Sequence, residues 1–336
     1  LPDETSPDAP RASLARPAVP KKSRAAASSS KPPGFPRRSR GKRSETAAVE
    51  MKTGADLHAA VLALGTRVFL ELFSGSARVT QSLNDLGIAA FGLDILQGYD
   101  LLREDVMATV LDLIRKGVII GVWLAVPCRG WGRARRGTPW KQRQEKGTKK
   151  GFPAAIRSSK SPWGLPVDEI SPADGPVLLS GNALIRAALR IFQLCKEVGV
   201  PAAVENPTSS YLWWLPEIRE LFEMSDDLEQ EDLAIRVVLD FCAFGTPWQK
   251  STALLFQGWS GVKALAKRCH PTRSPQKGAP SLCPYAVAPH QHLSGINKEA
   301  GTWWTAVAEP YPWPLARGVA SAFEQTRALR TPVQRD

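Results

Sequence analysis

Between residues 66 and 126 the chain alternates short, unbroken apolar runs with amphipathic segments that stop at glycine. The runs are TRVFLELF (66–73), IAAFGLDI (88–95) and VIIGVWLAV (118–126). A strand that is apolar at nearly every position has both faces buried, as happens when helices cover both sides of a parallel sheet. The segments between them, GSARVTQSLNDLG (75–87) and MATVLDLIRKG (107–117), have helical spacing and end in a glycine stop. Such βα units predict an α/β fold, a Rossmann-like, doubly wound and mostly parallel sheet. Further along, GNALIRAALRIFQLCKEVG (181–199) predicts a helix that feeds the strand VPAAVENP (200–207). SSYLWWLPEIRELFEM (209–224) reads as helical with an interruption at Pro216. LAIRVVLDFCAFG (233–245) and STALLF (251–256) predict an antiparallel final strand pair, and WPLARGVASAFEQTRAL a terminal helix.

The net charge of +12 is unevenly spread. Residues 1–55 form a basic tail rich in Pro, Ser, Ala, Lys and Arg, including KKSR and PRRSRGKR. A segment of that composition cannot bury enough apolar surface to offset its ordering entropy, so the tail is expected to be disordered. It reads either as a nuclear-localisation or nucleic-acid-binding arm or as a solvated linker. One folded domain is expected over 56–330, with a basic inserted loop at 129–165 and a small loop-rich segment at 257–300. No run of 18 apolar residues predicts a membrane span, and no apolar core of a signal peptide is visible. Five cysteines scattered at 128, 195, 242, 269 and 283 argue against a disulfide framework and for a reducing compartment.

In a doubly wound sheet, ligands bind beyond the carboxyl ends of the strands. Polar clusters fall there in order: Phe73-Ser74-Gly75-Ser76 after the first strand, Asp94 at the end of the second, Pro127-Cys128 after VIIGVWLAV, and Glu205-Asn206-Pro207 after VPAAVENP. An acid about 20 residues after a glycine turn suits a ribose diol. After Cys128 comes a stretch with eleven Lys and Arg and one acid, Glu145, over residues 129–165. Loops longer than about 15 residues are usually functional or disordered.

This ordered set resembles the DNA cytosine-5 methyltransferase family, a branch of the class I S-adenosylmethionine-dependent methyltransferases. FLELFSGSARVTQSLNDLG resembles the family's D/E-L-F-x-G motif, and LDI, with Asp94 and Ile95, its second motif. Asp105 in REDV falls at the third motif's acid. VPCRGWGRARRG resembles the P-C-x-x-F-S turn, VENPTSSYLWWLP the E-N-V strand end, and DFCAFGTPWQKSTALLF the F-G-x-P-Q-x-R-x-R segment. The likeness spans residues 66 to 256, with a looser echo to about 325. SPWGLP, GNAL and ENP…LW also resemble a divergent, retroelement-associated branch found in protists.

The resemblance implies S-adenosyl-L-methionine as cofactor, held by Phe73, Ser74, Gly75, Ser76, Asp94, Ile95, Asp105 and Pro127. It implies DNA as partner, with RNA as the alternative; the basic tail adds the expectation of a nuclear location, and the lack of a long apolar run that of no membrane partner. Cys128 would add to cytosine C6 and make C5 nucleophilic; Glu205 would assist at N3, with Asn206, Pro127 and Lys250 completing the catalytic set. A free thiol with a pKa of ~8.5 gains only about 2 kcal/mol on full ionisation near pH 7. Holding a glutamic acid of pKa ~4.3 protonated at pH 7 costs about 3.7 kcal/mol, so the pocket must raise that pKa or share the proton with the ring. Arg129, Arg133, Arg135, Arg136, Lys141, Arg143, Lys149 and Lys150 are expected to neutralise phosphates beside an extruded base. Trp131 or Trp140 would fill the gap left in the stack, whereas the Trp213-Trp214 pair reads as core.

Departures from the family pattern are Arg129 for the usual Gln, WG for Phe-Ser, Glu-Asn-Pro for Glu-Asn-Val, and Gln249-Lys250 where an Arg pair is usual. The space for target recognition, about 257–290, is short. The alternatives are an RNA or other nucleic-acid methyltransferase on the same fold and a non-catalytic, methyltransferase-like nucleic-acid-binding module of a mobile element. Cys269, His270, Cys283, His290 and His292 are zinc-ligand types, but their spacing matches no standard finger. They read first as ordinary loop residues, with a zinc site as the lesser alternative, and no metal ligand is assigned.

Overall fold

The computed structural model describes residues 49–65, 67–132, 135, 137–145, 153–222, 235–272, 281–286 and 288–330. Nearly all of the basic tail, together with Arg133, Arg136, Lys149 and Lys150, lies outside them. Six strands form a mixed sheet in the order β2-β1-β3-β4-β6-β5. They are β1 (Val68–Leu72), β2 (Ala90–Leu93), β3 (Ile119–Leu124), β4 (Ala202–Pro207), β5 (Ile235–Asp240) and β6 (Ser251–Gln257). β1 to β4 are parallel neighbours, while β6 runs antiparallel to both β4 and β5. The expected antiparallel pair is therefore present, and within it only β6 opposes the sheet. Two short strands, β7 (Ile296–Asn297) and β8 (Thr302–Trp303), pair separately.

Eight α-helices accompany the strands among the described residues: α1 (Gly54–Leu62), α2 (Arg78–Asp85), α3 (Glu104–Arg115), α4 (Trp140–Glu145), α5 (Gly175–Glu197), α6 (Pro216–Phe222), α7 (Trp304–Val307) and α8 (Trp313–Arg330). Successive strand residues alternate faces. Leu70, Leu72, Val122, Leu124 and Val204 join Leu57 and Val61 of α1, Val110 and Ile114 of α3, and Ile191 and Phe192 of α5 in one core. Phe69, Trp123 and Ala203 point the other way, onto Val79 and Leu83 of α2 and Val319 and Phe323 of α8. Helices thus cover both faces, as the unbroken apolar runs require. Gly121 lets α8 approach β3: a Cβ there would lie 2.4 Å from the Phe323 ring.

α1 is not visible in the sequence pattern, and it begins inside the segment assigned to the tail. Thr53 and Asp56 close a capping box around its first turn, and Lys52 N–H donates to Gly98 C=O. α3 starts three residues before its expected start, where Glu104 and Asp105 complement the helix dipole. α5 starts six residues early, with a proline in its first turn. α5 is also long and apolar enough, by length and composition alone, to cross a membrane. It packs Ile185, Ala188, Ile191, Phe192 and Cys195 into the core, as the central helix of a globular sheet does. Pro216 opens α6 and ends the preceding 3-10 turn, Tyr211–Trp214.

Candidate active site at the carboxyl edge of the sheet

The strand order reverses between β1 and β3, so the loops that leave these two neighbours diverge and open a crevice at the carboxyl edge. On the β1 side the turn is contorted. Phe73 (φ 58°), Gly75 (φ 48°) and Ala77 (φ 51°) all adopt left-handed backbone, which side chains tolerate poorly. The turn is held from both sides. Gly75 N–H donates to Asp94 Oδ2 (3.0 Å), and the other Asp94 oxygen accepts Leu96 N–H (2.9 Å). Below it, the buried Glu71 accepts the Thr80 N–H and Oγ–H, both at 2.7 Å, in place of a side-chain cap on α2. Burial pushes the Glu71 carboxyl up to about 7 even though these hydrogen bonds oppose the rise. Ser74 Oγ and Glu71 Oε1 are buried and find no partner among the described residues. Ile95 and Leu96 are exposed beside Asp94.

Asp105, the third expected acid, stands at the start of α3. Arg103 grips both of its oxygens at 3.0 Å, and Gly54 N–H donates to it at 2.8 Å. These hydrogen bonds, Arg103 first, hold its carboxyl down at about 2. In this arrangement Asp105 ties α1 to α3.

On the β3 side, Pro127 is exposed and Cys128 half-buried. Cys128 C=O accepts the N–H groups of Trp131 and Gly132, so the Cys-Arg-Gly-Trp turn closes on itself. From β4, the buried Asn206 donates Nδ2–H to Val126 C=O at 2.8 Å, fastening the residue just before Pro127. Glu205 is buried and accepts the Tyr311 hydroxyl proton on Oε2 (3.1 Å), while Oε1 is an orphan among the described residues. Tyr311 OH in turn accepts Trp123 Nε1–H (3.1 Å). Burial raises the Glu205 carboxyl; Lys250 and the Tyr311 hydroxyl pull it partly back. Burial likewise raises the Cys128 thiol, the Lys250 ammonium opposes that, and Glu205 and Glu309 add to the rise. Cys128, Glu205 and Lys250 are therefore within electrostatic reach of one another. Lys250 Nζ also donates to Ala308 C=O (3.3 Å) and lies 4.7 Å from the Phe241 ring centre.

The sequence reading missed Tyr311 and Arg157. Tyr311 is remote from every motif, and only the return of the chain before α8 brings it to Glu205. Arg157 counts as one more loop cation in the sequence, yet it is 1% exposed. Its guanidinium lies 3.5 Å from the Trp131 ring centre and donates to the carbonyls of Gly130 (2.9 Å), Pro162 (2.8 Å) and Leu178 (3.4 Å). Desolvation lowers its pKa to about 9. The motifs SPWGLP and GNAL meet here. Asn182 Nδ2–H donates to Trp163 C=O (2.8 Å), Trp163 packs edge-on to Trp131, and a Cβ on Gly181 would crowd both Arg157 and Trp131.

Several expected nucleic-acid contacts are otherwise engaged. Arg135 pairs with the half-buried Asp174, and Lys141 with Asp168 at 2.7 Å. Arg143 donates to the carbonyls of Thr138 and Pro153. Arg129 is exposed beside Cys128. Trp131 is fully buried under Arg157 and is not available to enter a base stack; Trp140 is half-buried. Trp213 is core, donating Nε1–H to Pro207 C=O, whereas Trp214 is half exposed.

Comparison of the sequence with protein-family models and with curated proteins found no match.

Proposed function

We propose that the chain is a Rossmann-like methyltransferase that transfers a methyl group from S-adenosylmethionine to C5 of cytosine in DNA, with Cys128 as nucleophile. The observation that carries the proposal is the placement at one sheet edge of a half-buried thiol after β3, a buried carboxyl in β4 with one oxygen unpartnered among the described residues, and an ammonium group just before β6, which pairs with the end of β4. A carboxyl raised in this direction gives up its proton less readily and can share it with cytosine N3 as the ring accepts the thiol, which is the direction the energetic demand set out above requires.

The turn on the β1 side fits the cofactor. A left-handed backbone turn, the unpartnered Ser74 Oγ, the Asp94 carboxylate and the exposed Ile95 offer donors, an acceptor for a diol and an apolar edge for a flat base. The cofactor supplies an electrophilic methyl group. The residues of this chain do the rest. Cys128 gives up its proton to solvent water and its sulfur bonds to C6, while Glu205 hydrogen-bonds N3. The C5–C6 double-bond electrons become available at C5 for the incoming methyl. Loss of the C5 proton to solvent water then restores the double bond and expels the Cys128 sulfur as the thiolate. Lys250 stabilises the thiolate as it forms. Asn206 and Arg157 hold the turn so that the sulfur stays in place.

The test is covalent trapping. DNA carrying 5-fluorocytosine blocks the final elimination, so wild-type protein with S-adenosylmethionine should give a band shifted on a denaturing gel. Cys128→Ala should give none while binding S-adenosylhomocysteine normally by calorimetry, and Glu205→Gln should trap slowly. RNA of the same sequence should not be trapped. Trapping by Cys128→Ala as strong as wild type, or the absence of both trapping and cofactor binding, would overturn the proposal.

A further inference from the structure

Away from the crevice, four side chains from separate parts of the sequence meet. Cys242 lies in the 3-10 turn after β5, Cys269 beyond the turn Val262–Leu265, and Cys283 and His290 in the following loop. Their ligand atoms all lie within 4.8 Å of one another. Cys269 Sγ is 3.7 Å from Cys283 Sγ and 3.5 Å from His290 Nε2. A tetrahedral zinc with Zn–S of about 2.3 Å and Zn–N of about 2.05 Å has ligand edges of about 3.8 Å for S···S and about 3.6 Å for S···N. The measured edges match both. The three cysteines are buried and His290 is half-buried.

The surroundings are those of a held ligand set. Asp240, fully buried, accepts Cys269 N–H at 2.7 Å and the Arg268 Nε–H at 3.0 Å, which fixes the backbone that carries one sulfur. Cys283 N–H donates to Ala288 C=O, and Gln291 N–H to Pro247 C=O, so the loop folds back to bring His290 in. His270 and His292, the other candidate ligands in the sequence, are exposed and outside the cluster.

We propose that Cys242, Cys269, Cys283 and His290 bind one zinc ion in a closed, structural site. Three soft thiolates and one imidazole select zinc over harder cations, and four protein ligands leave no position for a substrate. Binding releases the thiol protons and cross-links the β5–β6 end of the sheet to a segment with little secondary structure of its own. Between residues 266 and 295 the described residues form no helix or strand, only isolated bridges at Thr272–Leu282 and Cys283–Ala288. Segments that cannot bury a core are commonly held by a metal. Because Phe241 N–H donates to Lys250 C=O, the ion also stiffens the strand that presents Lys250.

The full chain, purified in reducing buffer without chelator from cells given zinc, should carry one zinc per molecule by elemental mass spectrometry. Exchange into cobalt(II) should give the visible bands of a tetrahedral site with sulfur-to-metal charge transfer. Cys242→Ser and Cys283→Ser should lose the metal, whereas His292→Ala and Cys195→Ser should keep it. His290→Cys should also keep it, which separates loss of a ligand from loss of fold. Folded wild-type protein without stoichiometric zinc, iron in its place, or zinc that survives Cys242→Ser would overturn the proposal.

Discussion

Glu71 shows how one side chain couples the fold to pH. It is buried under the β1 turn, it holds the first turn of α2, and its carboxyl is raised to about 7 from an ordinary 4.5. The folded state therefore keeps this proton where the unfolded chain has lost it. Its stabilising contribution is full below about 4.5 and fades as pH rises through about 7. A shift of that size corresponds to about 3 kcal/mol. Glu71→Gln still accepts the two Thr80 bonds through its carbonyl oxygen but cannot ionise. Urea unfolding should show the variant gaining on wild type by up to that amount between about pH 5 and about pH 8. Parallel pH profiles for the two proteins would mean that Glu71 is solvated. In sequence, Glu71 is visible as the acid of the D/E-L-F-x-G pattern. Its orphan oxygen and its partner Thr80 are not, because both depend on how α2 seats against β1.

At the scale of elements, the turn after β3 is held by side chains that arrive from elsewhere. Asn206 reaches it from β4, and Arg157 from the basic loop, clamped over Trp131. Arg157→Met would keep most of the packing volume but leave the carbonyls of Gly130, Pro162 and Leu178 without their donor. It should destabilise the protein by about 2 to 4 kcal/mol. Arg157→Lys keeps the charge but not the planar fork, and is expected to slow covalent trapping at least tenfold with cofactor affinity unchanged. Trapping at the wild-type rate by the lysine variant would show that the clamp does not position Cys128. The sequence displays Arg157 as one of eleven cations in a polar stretch, and nothing local distinguishes it. Its burial follows from Ile156, Leu178 and Ile170 packing together and drawing the chain inward around it.

For the molecule as a whole, the strongly basic composition predicts binding to a polyanion, but part of that charge is spent internally. Arg135 and Lys141 have carboxylate partners, while Arg129 is exposed at the mouth of the crevice. Arg129→Gln is expected to reduce the slope of log affinity for duplex DNA against log salt by about 0.9, the value for one phosphate contact. Lys141→Gln should leave the slope unchanged. A larger loss for Lys141→Gln than for Arg129→Gln would show that the loop rearranges on DNA and frees its paired cations.

The order of the six sheet strands and of α2, α3, α5, α6 and α8 is written in the sequence, because apolar periodicity reports burial one residue at a time, whereas the short α4, α7, β7 and β8 carry no such pattern. The strand-end clusters are legible for the same reason, since the end of an apolar run marks the edge of the sheet. Contacts between distant segments have no such local trace. Tyr311 meets Glu205 across 106 residues and Asn206 meets Val126 across 80. Cys242 joins the Cys269, Cys283 and His290 group only because β5 and β6 pair and turn the chain back. Spacing along the chain therefore matches no finger, while in space the four ligand atoms gather within 4.8 Å of one another. Exposure, too, was decided by tertiary structure: Arg157 and Trp131 are buried, and Asp105 accepts the N–H of Gly54 in α1, because such contacts act between elements and leave no mark on composition or periodicity.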